Sequence, residues 1–270
     1  MRLGNCASCK NLVNKMADIL DKFIEKAKEN VASGYYSKGA KYTGERHSLA
    51  ARLSSRNFSL IAEIKHASPA GEYSFDHIDV EKTARDFLEC GADAISVVVE
   101  PQIFRGSLSN VPVAKSAGLP VLFKDFVICN EQLEAARQVG ADAVLLIVKV
   151  ADRLGLDLNA LIEKAHALGL EVLLECYDED EMARAVKTKA DILGINNRDL
   201  RTLRVDISLT GSILSKFPGI FQPVISESGI RGIGDARQVR KYGARGILVG
   251  TAIWKAGDLR AKIKELKSDG

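Results

Sequence analysis

Glu89-Cys-Gly-Ala-Asp-Ala-Ile-Ser-Val-Val-Val99 is the stretch that decides the fold. A glycine closes a helical pattern, Ala-Asp makes a turn, and an unbroken apolar run follows. The same unit returns as Gln138-Val-Gly-Ala-Asp-Ala-Val-Leu-Leu-Ile147 and as Lys241-Tyr-Gly-Ala-Arg-Gly-Ile-Leu-Val249. Looser copies are Ala117-Gly-Leu-Pro-Val-Leu-Phe123 and Leu168-Gly-Leu-Glu-Val-Leu-Leu174. Glycine suits the position just past a helix end, where φ is positive. The apolar runs do not alternate with polar residues, so both faces are buried, as in parallel strands covered by helices.

Working outward, eight such runs fall near 60–64, 94–99, 120–123, 143–148, 171–174, 192–195, 223–225 and 246–249. Between them, 80–90, 130–139, 158–168, 180–187 and 235–242 have the clearest amphipathic helical patterns. Eight strand–helix units in 270 residues predict an α/β fold, a closed (β/α)8 TIM barrel. An open doubly wound sheet is the alternative. The first strand is followed by Lys65-His-Ala-Ser-Pro-Ala-Gly71, which lacks the GxGxxG form that such a sheet usually carries. Residues 17–31 read as an additional N-terminal helix whose apolar face packs either over an open barrel end or on the outside. The expected organisation is one barrel domain over 1–270, with 1–55 a helical extension and 56–270 the barrel proper.

Apolar residues make up 46 % of the chain, charged residues 27 %, and the net charge is +3. That balance is ordinary for a globular enzyme and gives no reason to expect nucleic acid as a partner. No apolar run reaches bilayer length, and Met1-Arg-Leu-Gly-Asn5 lacks the apolar core of a signal peptide, so no membrane partner and a cytoplasmic location are expected. Five cysteines do not make a disulfide framework. Cys6-Ala-Ser-Cys9 is half of a zinc motif without a second pair, so no metal is expected.

Chemistry in such a barrel sits at the C-terminal strand ends. Here those ends carry Glu63 and Lys65, Glu100, Lys124-Asp125, Lys149, Glu175, Asn196-Asn-Arg-Asp199, Ser226-Glu-Ser-Gly229 and Gly250-Thr251. Glu63 and Lys65 are two residues apart and share one face of a strand. Charges that converge on one mouth perturb one another's pKa values and suit acid–base work. Gly229 and Gly250 fall just past strands seven and eight, the recurrent phosphate site of this fold, with Arg198 and Lys65 as cationic help.

In this order the residues resemble the indole-3-glycerol phosphate synthase family. The matching stretches are Ile61-Ala-Glu-Ile-Lys-His-Ala-Ser-Pro69, Pro120-Val-Leu-Phe-Lys-Asp-Phe126, Ala141-Asp-Ala-Val-Leu-Leu-Ile147, Gly194-Ile-Asn-Asn-Arg-Asp-Leu200 and Ser226-Glu-Ser-Gly-Ile230. The resemblance implies ring closure, decarboxylation and dehydration of 1-(2-carboxyphenylamino)-1-deoxyribulose 5-phosphate, without a cofactor. It implies Lys124 as general acid and Glu175 as base of the dehydration. Glu63 and Lys65 would meet the substrate's hydroxyl and carboxylate groups, and Asn196 and Ser228 would orient it. Ser68, Lys65, Arg198, Gly229, Gly250 and Thr251 would bind substrate or phosphate. Phe104, Phe126, Leu145, Ile147 and Leu200 would form the slot for the aromatic ring. It further implies a monomer or weak homodimer, compatible with association with other tryptophan-pathway enzymes. Loop one departs from the family, reading Ala70-Gly-Glu-Tyr73 where many relatives have Ser-x-Gly and a lysine. A phosphoribosyl isomerase or a non-catalytic phosphate-binding barrel are the rival readings.

Overall fold

The computed structural model describes residues 18–268, so Cys6 and Cys9 lie outside the described residues. Eight parallel strands close into a barrel: β1 (Ser59–Ile64), β2 (Ala94–Val98), β3 (Val121–Lys124), β4 (Ala143–Ile147), β5 (Glu171–Cys176), β6 (Ile192–Asn196), β7 (Val224–Glu227) and β8 (Gly246–Val249). Each strand pairs with the next, and β8 returns to β1 through Ser59 opposite Gly246. This is the expected (β/α)8 barrel. Several strands run past their expected ends, so that Lys124, Glu175, Asn196 and Glu227 belong to strands and have a fixed direction. β4 stops at Ile147, one residue early, because Val148 opens a helix at once.

The helices are α1 (Ile19–Ala32), α2 (Leu49–Ser54), α3 (Val80–Glu89), α4 (Asn110–Lys115), α5 (Asn130–Val139), α6 (Val148–Leu154), α7 (Leu158–Ala167), α8 (Glu179–Ala185), α9 (Ser208–Lys216), α10 (Ile233–Lys241), α11 (Thr251–Trp254) and α12 (Leu259–Lys267). The five amphipathic patterns correspond to α3, α5, α7, α8 and α10. Helices α4, α6 and α11 are four to seven residues long and are not among the clear amphipathic patterns.

Period-two alternation divides the strands into two cores. Ile61, Leu122, Leu145, Leu173, Ile225 and Leu248 fill the barrel interior, while Leu60, Val97, Phe123, Leu146, Leu174 and Ile247 pack against the helical shell. Two helices close the interior. Leu49 and Leu53 of α2 join it. Contacts from Ala50 N–H to Glu171, at the start of β5, and from Arg56 to Asp93, just before β2, place α2 at the N-terminal end. At the other end, Leu20, Phe23, Ile24 and Ala27 of α1 pack over the C-terminal mouth. Of the two placements open to the N-terminal helix, it takes the barrel end. A capping box between Asp18 and Asp21 starts it, and Arg153 of α6 pairs with both carboxylates. Asn30 near its end donates to Glu100 at 3.3 Å.

Aspartates at the turns before β2, β4 and β6 lock the N-terminal face. Asp93 accepts from Leu60 N–H (2.9 Å), Asp142 from Val121 N–H (2.8 Å) and Asp191 from Val172 N–H (2.7 Å), each reaching the preceding strand. Each also takes a cationic or imidazole partner from the shell: Lys267, Lys115 and His166 respectively. The Lys115–Asp142 pair is 2.5 Å long and has no exposed surface. Strand ends fixed from below leave the upper ends free to carry polar groups.

Candidate active site

The C-terminal mouth holds an open cavity of about 970 Å³, counting the solvent space at its rim. Its floor follows from the strand alternation. Lys124 lies two residues past the interior Leu122, Glu175 two past Leu173, Glu227 two past Ile225, and Glu63 two past Ile61. All four point up the barrel axis into the cavity or against it.

They form one ionic cluster. Lys65 Nζ is 2.7 Å from Glu63 Oε1. Lys124 Nζ lies between Glu63 Oε2 (3.2 Å) and Glu227 Oε2 (3.1 Å). Two ammonium groups therefore face three buried carboxylates, and they cannot hold all three ionised. Burial alone would push Glu63 up, but Lys65 and Lys124 overcome it and hold Glu63 down at about 2. Burial would also weaken the charge on Lys124, yet Glu63, Glu227 and Glu175 keep it protonated well above the ordinary lysine range. The cost falls on the other two carboxylates. Burial raises Glu227 despite Lys124. Burial and then the charge of Glu227 push Glu175 up to about 8, against Lys124 and a hydrogen bond from Asn196.

One side of the cavity is apolar. Phe104, Phe126, Leu145, Ile147 and Leu200 all line it. Phe23 from α1 completes this wall, stacking on Phe126 at 4.7 Å and tilted against Phe104 at 5.8 Å. The opposite side is polar, lined by Lys65, Arg198, Ser228, Gly229, Gly250 and Thr251. Ser228 and Gly229 are both left-handed, with φ of 64° and 82°. Asn196 accepts from Arg198 N–H at 3.0 Å and turns that residue toward the mouth.

Ser68 lies beside the cavity and not in its lining. Its hydroxyl bonds to Glu72 (2.8 Å) and to Ala70 N–H (3.3 Å) within a tight turn, and its neighbour Pro69 lines the cavity instead. Gly250 has a second reason to be glycine, since a Cβ there would collide with the Glu63 carboxylate. Glu227 and Phe23 are the residues that sequence reasoning missed as site members. Glu227 was legible, because the two-residue rule that pairs Glu63 with Lys65 also places Glu227 on the face of Ile225. Glu100 and Asp125 also line the mouth, as anchors. Glu100 accepts from the N–H groups of Gln102, Ile103 and Phe104, and Asp125 from Tyr36 Oη (2.6 Å) and Phe126 N–H (2.8 Å).

The family model for indole-3-glycerol phosphate synthase matches residues 13–266. The chain belongs to the indole-3-glycerol phosphate synthase family. Similar proteins of that name are found in Bacillus cereus, 36 % identical over 93 % of this chain and 99 % of that one, and in Bacillus mycoides, 37 % identical with the same coverage. Among solved structures, an N-acetylmannosamine-6-phosphate 2-epimerase from Clostridium perfringens has a TM-score of 0.59 at 16 % identity, covering 84 % of this chain and 99 % of that one; this is a likeness of fold alone. Membership of the indole-3-glycerol phosphate synthase family makes the chain a carboxy-lyase of tryptophan biosynthesis, and the rival isomerase and non-catalytic readings are not favoured. No helix among the described residues is long and apolar enough to cross a membrane.

Proposed function

We propose that the cavity divides the synthase reaction between its two walls and its ionic floor. The phosphate of the anilino-sugar lies against Gly229, Gly250 and Thr251, with Lys65 and Arg198 supplying charge. The aromatic ring enters the slot of Phe104, Phe126, Leu145, Ile147, Leu200 and Phe23. This orientation sets the ketose carbonyl over Lys124 and the ring carboxylate near the Glu63–Lys65 pair.

In ring closure, the ring carbon attacks the carbonyl carbon and Lys124 gives its proton to the carbonyl oxygen, which becomes a hydroxyl. The carboxylate then leaves as carbon dioxide, and its bonding pair restores the aromatic ring. In the dehydration, an acid protonates the new hydroxyl, which departs as water, while Glu175 takes the proton released from the substrate. Asn196 and Ser228 orient the reactants. Glu227, not foreseen as a site residue, shares Lys124 with Glu63 and holds its ammonium under the carbonyl. The observation that carries this reading is the Lys124 ammonium held between the Glu63 and Glu227 carboxylates, beside a Glu175 carboxyl that burial pushes up. A single barrel domain with its N-terminal helical extension packed upon it, working in the cytoplasm as a monomer or weak homodimer, completes the proposal.

The test is turnover of the anilino-sugar phosphate followed by indole fluorescence, in wild type and in Lys124→Ala. The expected result is robust turnover in the first and a loss of about 10²–10⁴ in kcat in the second, the usual cost of losing a general acid. Wild-type kcat in a folded Lys124→Ala protein overturns the assignment.

A further inference from the structure

Asn197 stands between two residues that line the cavity, Asn196 and Arg198, but its own side chain is buried away from the cavity among β6, β7 and α9. There it closes a ring of hydrogen bonds. Asn197 Nδ2 donates to Ser226 Oγ at 3.0 Å, and Thr210 Oγ1 donates to Asn197 Oδ1 at 2.9 Å. Thr210 and Ser226 are 2.7 Å apart, and because the Thr210 proton is already used, Ser226 is the donor. The ring fixes which way the amide faces. Its second Nδ2 hydrogen is then directed to Ser228 O, at 3.0 Å.

That last bond lands on the left-handed residue of the phosphate loop. An ordinary side chain disfavours φ of 64°, so Ser228 holds it only because its surroundings impose it. The peptide between Ser228 and Gly229 is trans, so its carbonyl and its N–H point in opposite directions. With the carbonyl held by Asn197 on the buried side, the Gly229 N–H is aimed at the mouth. Asn197 grips the preceding peptide too, since its own N–H donates to Glu227 O at 2.9 Å.

We propose that Asn197 is the positioning residue of the phosphate cradle: through Ser228 it sets the Gly229 N–H toward the substrate phosphate. The proposal rests on the phosphate site assigned above and adds the residue that shapes it.

Asn197→Ala and Thr210→Val are compared with wild type for kcat, KM and competitive inhibition by inorganic phosphate, together with a ligand-free crystal structure of Asn197→Ala. One lost buried hydrogen bond is worth about tenfold in an equilibrium. KM and the phosphate inhibition constant are therefore expected to rise together by about tenfold in Asn197→Ala, with kcat falling less. Thr210→Val, which breaks the ring but leaves the amide, should shift both constants in the same direction by a smaller factor, and Thr210→Ser should restore them. If Asn197→Ala does not fold, the Thr210→Val and Thr210→Ser pair decides the matter. An unchanged phosphate constant with lowered thermal stability makes Asn197 merely structural and overturns the inference. So does a ligand-free Asn197→Ala structure in which Ser228 keeps its left-handed φ, wherever phosphate binds. Phosphate bound elsewhere in wild type, with the loop rearranged in the variant, would instead overturn the assignment of the cradle.

Discussion

Glu175 is where burial and charge compete most openly. Its pKa of about 8 means that it is mostly protonated in the empty mouth at neutral pH. If it is the base, kcat/KM should climb as pH rises through about 8, and Glu175→Gln should abolish that limb while lowering kcat far more than it raises KM. A limb that survives the substitution would assign it to another group. The same shift predicts a stability effect of defined sign. A carboxyl raised in the folded state binds its proton more tightly there than in the unfolded chain, so its contribution is lost as pH rises from the unfolded value, about 4.3, toward 8. Glu175→Gln should therefore gain thermal stability relative to wild type across that window, with the difference levelling off above it. The sequence named Glu175 and its partners because charges at the ends of apolar strands stand out. It could not give the direction of the shift, which depends on how deeply the carboxyl is buried and then on Glu227 two strands away.

At the scale of elements, α1 and the aspartate turns show two kinds of legibility. The apolar spacing of α1 predicts a buried face, but not that Phe23 enters the site. To probe it, Phe23→Leu keeps an apolar side chain and removes the stacking on Phe126. An aromatic pair is worth about 0.5–1.5 kcal/mol, so KM should rise roughly two- to tenfold while inhibition by inorganic phosphate is unchanged. A parallel loss of phosphate affinity would place the ring elsewhere. The repeated Gly-Ala-Asp is plain in the sequence as a turn, yet its aspartate acts on the preceding strand, which only the closed register brings near. Breaking the buried Lys115–Asp142 pair with Lys115→Met should cost about 3–5 kcal/mol in chemical denaturation, with kcat of the folded protein intact. A loss under about 1 kcal/mol would mean that the site relaxes around the unpaired carboxylate.

For the whole molecule, eight doubly buried runs, with no GxGxxG loop after the first, predict a closed barrel over an open sheet. What remained hidden was its division into a face that holds and a face that reacts. The lower ends are tied by Asp93, Asp142 and Asp191, while the upper ends spend their polar groups on Lys124 and its carboxylates. Ser68 and Gly250 belong to the hidden part, since the turn that absorbs one and the carboxylate that crowds the other come from the fold. The roof over the reacting face has a consequence for how the chain comes into being. Helix α1 is synthesised before every strand of the barrel, yet Glu100, Asp125 and Arg153, which hold it and the turn after it, lie 70, 89 and 135 residues downstream of Asn30, Tyr36 and Asp18. A 14-residue helix is marginal alone in water. While the ribosome is still making the strands it must wait with its apolar face undocked, so that the mouth is roofed only after the barrel beneath it has been translated past β4.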